Sequence, residues 1–149
     1  MLEEWLIDGY NLIYDAKLSR EALFDRLASF ASSNERKILM VLDGKGNDDE
    51  FEAYRTKSFN IIYSQSLTAD SVIEKILYEK KGMSAFTVIT KDRAISQMAR
   101  GSGSRVMIPA EFMAFLIDSK KDNNQLLFKE KVRSHGFNRP FENIKFPIE

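Results

Sequence analysis

Short apolar runs that end on acids constrain this chain more than any other feature. Trp5-Leu6-Ile7 stops at Asp8, ahead of Gly9-Tyr10-Asn11; Ile38-Leu39-Met40-Val41-Leu42 stops at Asp43-Gly44; and Ala85-Phe86-Thr87-Val88-Ile89 runs into Thr90-Lys91-Asp92. Asp, Gly and Asn are ordinary turn residues, so any one of these ends reads as a strand followed by a turn. Three of them together point to a site. The runs are nearly all apolar, as strands covered on both faces are, and that is the habit of parallel sheets.

Helical spacing fills the intervals. Ser19 caps a predicted helix to Ser33, with Glu21 in its first turn and Leu23, Leu27, Phe30 and Ala31 on one stripe. Thr68 caps a second, closed by Gly82, whose apolar face is Ala69, Val72, Ile73, Ile76 and Leu77. A short helix with Ile95, Met98 and Ala99 inward ends at Gly101, and Gly101-Ser102-Gly103-Ser104 reads as a helix stop because it precedes a strand. The strand Arg105–Ile108 and a helix opened by Pro109, with Met113, Leu116 and Ile117 inward, follow. Weaker signals mark a helical stretch around Phe51 and Tyr54 and a strand over Ser58–Tyr63, while Asp48 and Asp49 read as a solvated loop. Strand and helix thus alternate about five times, which predicts an α/β three-layer sandwich around a mostly parallel sheet of about five strands.

A chain of 149 residues, 44% hydrophobic and 30% charged, suits one globular domain with a sizeable core. No apolar run is long enough to span a bilayer, so no membrane partner is expected. The first strand begins close to Met1, and glutamates stand where a secretory signal carries positive charge, so export is not expected. The chain has no cysteine, which excludes thiolate metal sites and thiol nucleophiles and fits a reducing cytosol; a cytoplasmic location is the expectation. Charge balances at 22 basic against 22 acidic residues, but residues 120–149 hold seven basic and four acidic ones. The tail is therefore basic and the body acidic. It is expected to form an amphipathic helix over Leu126–Arg133 before a proline-containing tail, packed on a main domain of residues 1–119.

In open parallel sheets, ligands bind beyond the carboxyl ends of the strands. Asp8, Asp43 and Asp92 all lie at that edge. Asp70, in the first turn of the helix after Thr68, reaches the same edge, because helix N-termini face it too. Two carboxylates ~5 Å apart repel by about 3 kcal/mol at an effective dielectric of ~20, so a cluster of four calls for a cation or for protons. Oxygen ligands with open positions suit Mg²⁺, and Mn²⁺ equally, and such ions act on phosphodiesters. For Asp70 the alternative is an acid that only complements the helix dipole, and for Asp92 an acid that only caps. Glu74, one turn on, reads as a surface residue that pairs with Lys75 or with water. His135, the only histidine, carries no catalytic role.

Ile7-Asp8-Gly9-Tyr10-Asn11-Leu12-Ile13, Val41-Leu42-Asp43, Thr68-Ala69-Asp70-Ser71-Val72-Ile73-Glu74 and Val88-Ile89-Thr90-Lys91-Asp92-Arg93 resemble, in order, the motifs of NYN-domain proteins of the PIN-like nuclease superfamily, and most of all the small bacterial YacP-like branch. The resemblance runs from about Glu4 to Ile117. It implies a metal-dependent ribonuclease fold in which Asp8, Asp70 and Asp92 are catalytic and, with Asp43, hold Mg²⁺ or Mn²⁺. Asn11, Thr90, Lys91 and Arg93 are then the candidates for substrate binding. The expected partner is RNA, free or on the ribosome, and a homodimer is left open. Two functions follow: an endoribonuclease that hydrolyses phosphodiesters, or a non-catalytic RNA- or ribosome-binding module that uses the basic tail. A nucleotide-binding phosphotransfer domain fits less well, because no glycine-rich loop follows the first strand.

Overall fold

Each apolar run forms a strand whose alternate residues enter two different cores. In a computed structural model, which describes residues 3–33, 35–82 and 86–118, the strands are β1 (Glu3–Asp8), β2 (Arg36–Leu42), β3 (Phe59–Tyr63), β4 (Phe86–Ile89) and β5 (Arg105–Met107). They form one sheet in the order β3-β2-β1-β4-β5, with every pairing parallel. The helices are α1 (Gly9–Ala16), α2 (Arg20–Ser33), α3 (Ala69–Glu79), α4 (Arg93–Gly101) and α5 (109–118), and a 3₁₀ segment spans Asp48–Tyr54. The chain divides into two compact units, Met1–Met113 and Ala114–Glu149. The sheet and the site belong to the first.

Successive strand residues point to opposite faces. Leu6, Val41, Phe86 and Val88 join Ile73 and Leu77 of α3 and Ile95 and Ala99 of α4 in one core. On the other face the Trp5 ring meets Phe30 of α2 at 5.7 Å, edge-on, and Phe112 of α5 at 5.3 Å, while Phe24 approaches Phe59 at 6.5 Å. Helices on both faces make the three layers. Full burial of each such large apolar side chain contributes roughly 1.5–3 kcal/mol.

The helix expected over Ser19–Ser33 begins at Arg20, with the Ser19 hydroxyl accepting from Ala22 N at 3.1 Å. Thr68 caps α3 as predicted, accepting from Ser71 N at 3.1 Å. The stop after α4 is also present, where Gly103 takes φ +89°.

Three details differ. The residues after Asp8 form a helix rather than a turn: Gly9, Leu12 and Ala16 share its buried side. Gly9 serves there by its size, since a Cβ would stand 2.4 Å from the Leu42 side chain and 2.8 Å from the Val41 carbonyl oxygen. Asp48 is not simply solvated, because its carboxylate accepts from Tyr63 N at 2.9 Å and pins the open edge of β3. Ile117, expected inward, is 42% exposed, whereas Phe112 is fully buried. The helix expected over Leu126–Arg133, the packing of the tail and His135 lie outside the described residues.

Candidate active site

Strand order reverses at β1. The chain leaves it through β2 and β3 on one side and returns to β4 and β5 on the other, so the edge beyond the adjacent ends of β1 and β4 is where sheets of this kind open a crevice for ligands. Asp8 ends β1, and Thr90 follows β4.

These two residues are joined directly. The fully buried Thr90 hydroxyl donates to Asp8 Oδ2 at 3.1 Å and accepts from Asp92 N at 3.0 Å. Asn11 Nδ2, one turn into α1, donates to the same Asp8 oxygen at 3.0 Å, and Asn11 Oδ1 accepts from Lys91 N at 3.0 Å. Both ends of the Asn11 amide are thus engaged. Asn11 ties the start of α1 to the β4–α4 loop and orients the Asp8 carboxylate, so in this structure it acts as a brace.

The other acids are held by the ends of their elements. Asp92 caps α4, with Oδ1 accepting from Ile95 N at 2.9 Å. Asp43, just past β2, accepts from Ala69 N at the start of α3 at 2.9 Å, which places it beside Asp70. Ser64 fixes the turn behind Asp43: its buried hydroxyl accepts from Gly44 N at 2.9 Å and donates to the Leu67 carbonyl at 2.7 Å.

The charges of the neighbouring acids reach both Asp8 and Asp70. Asp8 is only 7% exposed, and burial first, then the charges of Asp70, Asp92 and Asp43, push its pKa up to about 6, against the opposing hydrogen bond from Thr90. The Asp70 carboxyl is raised as well, by desolvation, by the charge of Asp92, by a hydrogen bond with the Asp92 side chain and by the charges of Glu74 and Asp43. Two carboxyls share a hydrogen bond only when one of them carries a proton. A cation bound there would relieve the same repulsion that raises Asp70.

The donor set suits a hard divalent ion: it is all oxygen, carries excess negative charge, and is braced by neutral donors rather than by ammonium or guanidinium groups. Among the described residues, however, no three acids or histidines stand close enough to form a ready ligand set. The acids surround one crevice without converging on one point.

The remaining candidates are spread around the rim. Lys91 Nζ pairs with Asp15 Oδ1 at 2.9 Å, so its charge is engaged within the chain. Arg93, the first residue of α4, is exposed. Glu74 is half-buried and near enough to raise the Asp70 pKa, so it faces the cluster instead of being only a surface residue. Ser64 and Asp15 escaped sequence reasoning. A serine one residue beyond a strand was the only hint of the first, and nothing local marks the second, whose partner lies 76 residues away.

A family model, the YacP-like NYN domain, matches residues 5–144. No curated protein matches the chain. Among solved structures, a crystal structure of Rae1 (YacP) from Bacillus subtilis, a point mutant, superposes with a TM-score of 0.63 at 20% identity, covering 97% of this chain and 95% of that one. A second crystal structure of Rae1 (YacP) from Bacillus subtilis gives a TM-score of 0.58 at 22% identity, over 93% and 94% of the two chains. These two show the same fold, and the family model covers crevice, braces and acids alike. The chain belongs to the YacP-like NYN domain family, within the PIN-like nucleases.

Proposed function

We propose that this protein is a metal-dependent endoribonuclease whose catalytic residues are Asp8, Asp70 and Asp92, with Asp43 completing the set that holds Mg²⁺ or Mn²⁺. The observation that carries the reading is Asp8: a buried carboxyl at the point where strand order reverses, held by two neutral donors and surrounded by three further acids. Such a group is costly to leave in the core without a partner, and perturbed carboxyls in a crevice are typical of functional sites.

Asp8, Asp43, Asp70 and Asp92 would hold the divalent ion, which would supply Lewis acidity for activating water and neutralising charge at a phosphodiester. The chain's own residues do the rest. Thr90 and Asn11 hold the Asp8 carboxylate in one orientation. Asp92 stays fixed by capping α4, and Asp43 by accepting from α3. Arg93, exposed at the start of α4, is the candidate to meet an RNA phosphate, and Lys91 can do so once it leaves Asp15. The site is expected to work in the cytoplasm, on RNA that is free or carried by the ribosome.

One observation favours the second reading, a non-catalytic RNA- or ribosome-binding module: among the described residues the acids do not form a ready ligand set. Circular RNA, which offers no end to an exonuclease, separates the two. With Mn²⁺ present, the wild type is expected to linearise it, and Asp8→Asn is expected to lose more rate than the about 10- to 100-fold that removing an outer-shell partner of a metal site costs. Equal cleavage by both proteins removes Asp8 from the mechanism. Binding without cleavage by the wild type favours the module.

A further inference from the structure

Two tyrosines continue the site along α1. Tyr10 and Tyr14 stand one helical turn apart, with ring centroids 6.5 Å apart and planes inclined at 37°. Tyr14 is 80% exposed. The Arg20 guanidinium lies 5.9 Å from the centre of the Tyr10 ring, and Tyr10 and Arg20 both act on the Tyr63 hydroxyl, whose pKa burial raises first. Tyr10 therefore lies toward β3, whereas Asn11 and Asp15 face the β4–α4 loop through Lys91. The rings begin two residues from Asp8 and extend ~6 Å along the helix axis, at ~1.5 Å per residue.

We propose that Tyr10 and Tyr14 form a nucleobase-stacking platform that seats single-stranded RNA beside the acidic crevice, with Arg20 supplying positive charge. The inference rests on the ribonuclease reading for its substrate class. Single exposed aromatics are common on protein surfaces. This pair differs in being doubled at one-turn spacing, associated with a cation and carried on the helix that starts directly after Asp8. Aromatic faces stack on any base, and an adjacent arginine adds a cation–π or phosphate contact, which is how proteins hold single strands without reading sequence. A duplex keeps its bases inside its own stack and offers no free face. Tyr78 provides an internal control. It is 76% exposed but lies at the last turn of α3, at the end of that helix remote from Asp70.

The test uses the full chain and a fluorescent single-stranded oligoribonucleotide, with EDTA present so that binding is read without cleavage. Tyr14→Ala is expected to weaken binding about 5- to 150-fold, the loss of one stacked base. Tyr14→Phe, which keeps the ring, stays within about twofold of wild type, and so does Tyr78→Ala. Duplex RNA of the same sequence binds Tyr14→Ala and wild type alike. Unchanged single-strand binding by Tyr14→Ala overturns the proposal, as does an equal loss in Tyr78→Ala. Because cleavage is not read, a wild type that binds in this way but never cuts circular RNA would refute the nuclease reading and leave the platform standing.

Discussion

Asp8→Asn should make the metal-free protein more stable at neutral pH, although it removes the residue on which the proposed chemistry depends. Asp8 titrates at about 6 when folded, against an ordinary value of 3.8. A raised carboxyl favours the folded state fully below pH ~4, and that contribution is lost as pH rises through about 6. At 1.36 kcal/mol per pH unit, ionised Asp8 costs the folded state about 3 kcal/mol at pH 7. Asparagine keeps an oxygen for the Asn11 and Thr90 donors and carries no charge. The variant should therefore gain up to about 3 kcal/mol at pH 7, or roughly 6–12 °C in Tm at about 2–4 °C per kcal/mol. The gain should shrink steadily between pH 6 and 4 and vanish below 4. Thermal or urea unfolding of both proteins in EDTA, at intervals from pH 3.5 to 8, measures this directly. A difference that does not change with pH, or a variant less stable than wild type at pH 7, would refute the assignment of Asp8 as the strained ionisable group.

Two further perturbations probe the frame around that carboxyl. Thr90→Val keeps shape but removes the donor to Asp8 and the acceptor for Asp92 N; it should cost about 1–3 kcal/mol and move the Asp8 transition to higher pH, visible as a shifted carboxyl resonance in an NMR titration. Gly9→Ala puts a Cβ 2.4 Å from Leu42 and 2.8 Å from the Val41 carbonyl, so the usual helix benefit of alanine should be outweighed by overpacking of about 1–3 kcal/mol, read as a lower unfolding midpoint.

Much of the fold was legible because burial leaves a local imprint. The doubly covered strands, the stripe of α2 and the Thr68 cap each follow from spacing within a few residues. The missed helix α1 shows the limit of such reading. Gly9 and Asn11 match turn chemistry, and only the packing of α1 against the end of β2 reveals that the glycine is there for close approach rather than for a bend. Asp48 differs for a related reason: an acid in a polar loop looks solvated until an unpaired strand edge stands next to it.

The site divides in the same way. From sequence alone the acids could be assigned to one edge of a parallel sheet, because strand ends and helix starts share that edge whatever the order of the strands. Which acids become neighbours was decided only in three dimensions, when β4 took its place beside β1 and brought Thr90 to Asp8 across 82 residues of chain. The same step set the chemistry of Asp8. Desolvation and the charge of neighbouring acids depend on what surrounds a carboxyl in space, and apolar periodicity along a chain carries no record of either.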